Sequence, residues 1–152
     1  MFFYFVNMPT FKSVLENIQT TLREDSALIA FCTSKWNKSL KVESVYAERT
    51  EIQLSDLPIV LITRPSVEKV FKTRVRDSVH TVRLYCGFQQ KDKLEAMSDL
   101  IELEELIDDA LLKDHTRGGN AMDTNPGESI NDEGKYHPVY FLAMNITVNH
   151  RR

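Results

Sequence analysis

Residues 79–113 read VHTVRLYCGFQQKDKLEAMSDLIELEELIDDALLK, and the change of period inside this stretch decides the fold. From Val79 to Gln89 the pattern is two. His80, Val82, Leu84, Cys86 and Phe88 fall on one face, and Val79, Thr81, Arg83 and Tyr85 on the other, as a strand requires. Over 91–113 the spacing becomes three and four. Leu94, Met97, Leu100, Ile101, Leu103, Ile107 and Leu111 make a stripe, and Asp92, Glu95, Asp99, Glu102, Glu105 and Asp108 cover the rest of the helix.

Working outward, the same two periods recur. Upstream, Phe11, Val14, Leu15, Ile18 and Leu22 form a helical stripe with Thr10 as its N-cap. Arg23-Glu24-Asp25-Ser26 interrupts it, and Asp25 or Ser26 can cap a further piece through Phe31, giving one bent helix or a helix with a final turn. Trp36 is expected to plug the end of that stripe against the core. Leu40 and Val42 make a weak strand. Pro58-Ile59-Val60-Leu61-Ile62-Thr63-Arg64-Pro65 is a stronger one, bounded by prolines and apolar enough to be covered on both faces. A basic alternating stretch, Val67 to Arg76, precedes a hairpin turn expected at Asp77-Ser78. Downstream, residues 117–135 gather Gly, Asn, Asp and Pro and read as a long surface loop. Tyr136 to Asn149 closes the chain as a strand, with Tyr140, Leu142, Met144, Ile146 and Val148 inward. The fold expected is α+β: an antiparallel or mixed sheet of about four to five strands with two main helices packed on one face.

At 152 residues the chain is read as a single domain, 1–152, long enough to close a hydrophobic core. Residues 1–9 begin Met-Phe-Phe-Tyr-Phe-Val and read either as an arm or as an extension upstream of a start at Met8; they lack the pattern of a secretory signal. No apolar run approaches the length that crosses a bilayer as a helix, and no membrane association is expected. Net charge is −3, which disfavours wholesale attraction to nucleic acid. Cys32 and Cys86 are too few for a disulfide framework or a four-ligand zinc site.

Catalytic motifs do not emerge. Gly87 is isolated, and Gly118-Gly119 follows a helix instead of preceding one, so neither makes a phosphate-binding loop. His80, His115, His137 and His150 show no metal-ligand spacing. His80 alternates with core residues and reads as a packed histidine, while His115 and His137 flank the expected loop and could meet. Glu104-Glu105 and Asp108-Asp109 read as a solvated helix face rather than an acid–base pair. No catalytic, cofactor or metal residue is assigned.

Charge is unevenly distributed. Arg64 to Arg83 holds six basic and two acidic residues, whereas Lys91 to Lys113 holds three basic and eight acidic ones. Lys72, Arg74 and Arg76 stand at period two, as if one strand face presented three cations. Three readings stay open: protection of an exposed edge, head-to-tail assembly of the basic strand against the acidic helix of another copy, and contact with DNA. The residues singled out as interface candidates are Lys69, Lys72, Arg74 and Arg76 on the basic side, and Glu102, Glu105 and Asp109 on the acidic side.

From about Thr10 to Val148 the chain resembles the tail-terminator (tail-completion) proteins of long-tailed bacteriophages. The unit Val14-Leu15-Glu16-Asn17-Ile18 through Asp25-Ser26-Ala27-Leu28-Ile29-Ala30-Phe31 is similar to that family's first helix with its Asp-x-x-Leu turn. Leu57-Pro58-Ile59-Val60-Leu61-Ile62 is similar to its Leu-Pro-x-hydrophobic strand, and the strand at 79–89, the acidic helix and the closing strand follow in the family's order. The resemblance implies a structural, non-enzymatic role. It implies a homohexameric ring that caps the tail tube, ends its polymerisation and joins it to the head or neck. The implied partners are the tail tube protein and the head–tail connector or neck protein, with DNA passing through the ring. The implied location is the virion tail, with assembly in the host cytoplasm. A head-closure, neck or other minor tail protein is the neighbouring reading. A small nucleic-acid-binding module using strand 69–76 is a more distant one.

Overall fold

Thr10 opens the first helix. Its hydroxyl accepts a hydrogen bond from the Ser13 N–H and so satisfies one of the donors a helix start leaves free. In the computed structural model, which describes residues 10–46 and 51–152, helix α1 spans Phe11–Glu24 and buries Val14, Ile18 and Leu22. The reading of residues 1–9 as an arm or extension lies outside the described residues. Asp25 then takes an extended conformation and caps α2, Ser26–Trp36, by accepting from the Leu28 N–H at 3.0 Å. The two pieces are therefore separate helices, not one bent rod. Burial would raise the Asp25 pKa, but the Lys113 ammonium at 2.7 Å and the cap donors outweigh it and hold the carboxyl below its ordinary value. Trp36 fills the place expected of it: its indole N–H donates to the Gln89 carbonyl at 2.7 Å, and its ring packs on Phe31 and Phe88.

Among the described residues, five strands form one mixed sheet of order β1-β2-β3-β5-β4. They are β1 (Lys41–Glu43), β2 (Ile59–Lys72), β3 (Val75–Gln89), β4 (Asp123–Asn131) and β5 (Val139–Arg151), with helix α3 (Lys93–Leu112) between β3 and β4. Only the β1–β2 pair is parallel; the other neighbours are antiparallel. The three helices cover one face. There Val60, Ile62, Val82, Leu84, Cys86, Phe88, Leu142, Met144, Ile146 and Val148 meet Val14, Ile18, Leu28, Leu103, Ile107 and Leu111 in the main core. On the opposite face, Leu57, Ile59 and Leu61 form a smaller cluster with Ile52, Tyr85 and Val139. This explains the unbroken apolarity of residues 59–62, which are buried from both sides. The alternation expected of β3 and β5 is borne out along both strands.

Three further sequence expectations are corrected. Residues 117–135 are not a long loop, because β4 runs through the middle of that stretch and pairs with β5 from Asp123↔Asn149 to Asn131↔Leu142. The strand is held by backbone hydrogen bonds at the sheet edge and buries only Thr124, so it carries no apolar pattern. Pro126 is tolerated there because it lies at an edge and beside a register shift. The true connector, Lys113 to Met122, is braced from within. Asp114 accepts from the N–H groups of Thr116 and Gly118, and the fully buried Arg117 guanidinium donates to the Leu111 and Asp114 carbonyls at the end of α3.

The second correction concerns the hairpin. Pro65 does not end a strand; it sits in a β-bulge between Thr63 and Ser66, where its missing N–H breaks no ladder bond, and β2 continues to Lys72. The turn falls at Thr73-Arg74, not at Asp77-Ser78, with Lys72 opposite Val75. Asp77 and Ser78 are strand residues whose polar groups are engaged within the sheet. Asp77 takes both guanidinium contacts of Arg151 at 2.6 and 3.0 Å, and the Ser78 hydroxyl meets His80 Nε2 at 2.8 Å.

The third correction is the phase of α3. Asp99, expected on the solvated side, is 1% exposed and bound by Lys35 at 2.9 Å and by the Gln90 amide at 2.7 Å. The hydrogen bond to Asp99 raises the Lys35 pKa. Lys35→Met would strand that carboxylate. With Gln90 still in place and Lys35 itself partly solvated, we expect a loss of about 2 kcal/mol in urea denaturation.

Candidate interaction surfaces

The tip of the β2–β3 hairpin lies beyond its supporting strands. β1 flanks β2 only along Ile59–Leu61, and β5 accompanies β3 only as far as Asp77↔Arg151. From Val70 to Val75 no third strand among the described residues flanks the two, which form a ribbon on which Val70 and Phe71 are half exposed. Lys69, Lys72, Arg74 and Arg76 are all exposed there. The expected single row of cations is not what forms. Residues directly opposite in register share a face, so Phe71 and Arg76 lie on the helix side with Lys69, opposite Ser78. Lys72 lies on the other side, and Arg74 is in the turn. The cations thus ring the tip instead of lining one face. The Lys69 ammonium sits 6.0 Å from the centre of the Phe71 ring. Of the two carboxylates beside the ribbon, Glu68 and Asp77, the second is engaged by Arg151, which holds it below its ordinary pKa.

The second surface is the outward side of α3. Its core side is set by Ala96, Leu100, Leu103, Ile107, Ala110 and Leu111. That phase turns part of the expected core stripe out into solvent: Leu94 is 92% exposed, Met97 73% and Ile101 45%. One and two turns on, Glu102, Glu105 and Asp109 are exposed as expected. Leu94, Met97, Ser98, Ile101, Glu102 and Glu105 line a shallow groove of ≈ 360 Å³. Met97 also borders a larger groove of ≈ 510 Å³ between the start of α3 and the β4–β5 connection, where Asn131, Glu133, Gly134, His137 and Tyr140 line the other wall. The inner acidic flank is crowded. Burial and then the neighbouring carboxylates Glu104, Asp109 and Glu105 push the Asp108 pKa up.

These exposed apolar residues are what the sequence reading missed. A signal was present: Leu94, Met97 and Ile101 together with Ala96, Leu100, Leu103 and Ile107 span more of the helix circumference than one buried stripe needs.

Elsewhere the titratable groups serve packing. His80 stacks on Phe11 with ring centres 3.5 Å apart and is 4% exposed. Arg64, which has only donors, approaches Nδ1 at 3.4 Å, so that nitrogen accepts. Nε2 then carries the hydrogen and donates to Ser78 Oγ, which in turn donates to the His150 carbonyl. Burial, followed by the charge of Arg64, lowers the His80 pKa to about 4. Burial pushes the Cys32 thiol up to about 12 and raises Cys86 as well, so neither is set up as a nucleophile. His115 and His137 do not meet. His115 sits beyond the end of α3 beside Asp123 at 3.4 Å, and His137 sits by its start against Tyr140. Among the described residues no group of three His, Cys, Asp or Glu side chains is placed to hold a metal, and no helix is long and apolar enough to cross a membrane.

No family model and no curated protein matches the sequence. The fold is similar to that of a chain in the virion of a native gene transfer agent (GTA) particle, with a TM-score of 0.64 and 11% identity over 99% of this chain and 100% of that one. At that identity the likeness is one of fold.

Proposed function

We propose that the chain is a structural protein of a phage or phage-like particle, and within it the tail terminator. One observation carries the reading: over 99% of its length the chain has a fold similar to that of a chain in a virion particle. The element order that resembles tail terminators supports the finer role. In it, copies of the chain close into a hexameric ring on the tail tube, stop its polymerisation and present a second surface to the head–tail connector or neck protein. DNA passes through the lumen, and the protein resides in the virion tail after assembling in the host cytoplasm. No catalysis is assigned to it.

The chemistry of the surfaces agrees with assembly. Each copy carries a basic ribbon and a separate patch that is half apolar and half acidic, the unlike surfaces that heterologous contacts require. The nucleic-acid reading draws less support, because the four cations are split between two faces and a turn and Phe71 is the one aromatic among them.

The role is tested by adding the purified protein to tail tube protein as it polymerises. A terminator leaves short tubes with a cap at one end in electron micrographs. A neck or head-closure protein leaves tube length unchanged, and that result would remove the terminator assignment.

A further inference from the structure

We propose that the seam between copies is made by the β2–β3 tip of one subunit seated on the outward side of α3 of the next. The inference rests on the ring reading and adds to it the two surfaces that touch. Charge is the first argument. Between Lys69 and Arg76 there are four cations and no carboxylate, and the receiving helix offers Glu102, Glu105 and Asp109. Apolar surface is the second. Phe71, 53% exposed at the centre of the tip, matches Leu94, Met97 and Ile101, which stand exposed on α3. Desolvating an apolar centre inside a rim of opposite charges is the usual build of a specific interface.

Topology selects a second copy as the occupant. β3 has 15 residues and runs from the tip to Gln89, and α3 begins just after it. At about 3.3 Å per residue the tip and Leu94 stand roughly 45 Å apart along the sheet. The tip cannot reach its own α3 start. Like surfaces also repel: tip on tip sets cations against cations, and helix on helix sets carboxylates against carboxylates. Only the tip-to-helix pairing removes both conflicts. Because each copy carries one tip and one receiving helix, the contact repeats head to tail and closes when the rotation per step allows.

The test is charge exchange read by native mass spectrometry. Arg74→Glu with Arg76→Glu, and separately Glu102→Arg with Glu105→Arg, should each weaken association at least about tenfold, while circular dichroism shows a folded chain. All four changes in one chain restore the attraction with its sign reversed, and the oligomer should return. Loss without that rescue overturns the pairing. An oligomer indifferent to both reversals overturns the seam and leaves the ring standing; a wild-type chain that is monomeric at every concentration overturns the ring and the seam together. A second measurement does not depend on charge. Chains carrying Phe71→Cys and Leu94→Cys, mixed and treated with a short bismaleimide, should give a covalent dimer, since Cys32 and Cys86 are buried. Absence of that dimer from a wild-type-sized oligomer overturns the proposal.

Discussion

Phe88→Ala is expected to cost about 3–5 kcal/mol, the largest single loss available in this fold. The ring is 1% exposed and lies in the main core. It meets Trp36 at 5.3 Å and Tyr140 at 5.7 Å, so it couples α2 and both central strands. Truncation leaves a cavity whose walls are fixed from several sides. Trp36 is tied to the Gln89 backbone, and Tyr140 to His137, so neither ring is free to fall into the gap. A typical domain has only about 5–15 kcal/mol of stability in total, and the variant should melt far earlier or fail to accumulate. Equilibrium denaturation by guanidinium at fixed protein concentration checks this. A change below 1 kcal/mol would mean the core is not joined through this ring.

Acidification should remove roughly 3 kcal/mol of stability between pH 6.5 and 4 through His80 alone. The folded pKa is about 4 against an ordinary 6.5. In that window the unfolded chain binds the proton and the folded chain does not, so stability falls as pH falls and levels off below about 4. The cause is structural. Protonating Nδ1 would point an N–H at the Arg64 guanidinium 3.4 Å away, inside a pocket closed by Phe11 and His150. Asp108 works the other way, since its raised pKa lets the folded chain take up a proton first. Comparison with His80→Gln separates the two. The variant should lose most of the slope between pH 6.5 and 4 in chemical denaturation, and an unchanged slope would contradict the assignment.

Strong periodicity carried much of the architecture. The strand at 79–89, the acidic helix and the closing strand were legible because each buries a continuous row of large side chains, and burial leaves a regular trace in sequence. The mixed α+β fold followed from their order. What was hidden rests on backbone pairing. β4 buries Thr124 and little else, so nothing in its composition separates an edge strand from a loop. Thr73-Arg74 lacks the glycine or asparagine that marks a tight hairpin, whereas Asp77-Ser78 looks like a turn until Arg151 and His80 are seen to bind those side chains. The candidate interface was readable in sign only. Charge counts along the chain pair a basic segment with an acidic one, but the faces depend on register, which disperses Lys69, Lys72, Arg74 and Arg76 around a tip. The exposed row of Leu94, Met97 and Ile101 depends on the phase of α3, which buries Ala96, Leu100, Leu103 and Ile107 and brings Asp99 inward to Lys35.

The central claim is that this chain is a ring-forming structural protein. Native mass spectrometry of the purified protein across a range of concentrations tests it most directly. The expected result is a closed hexamer, a single species of six times 17.6 kDa, that dissociates as salt is raised. A chain that remains at 17.6 kDa at every concentration would contradict it.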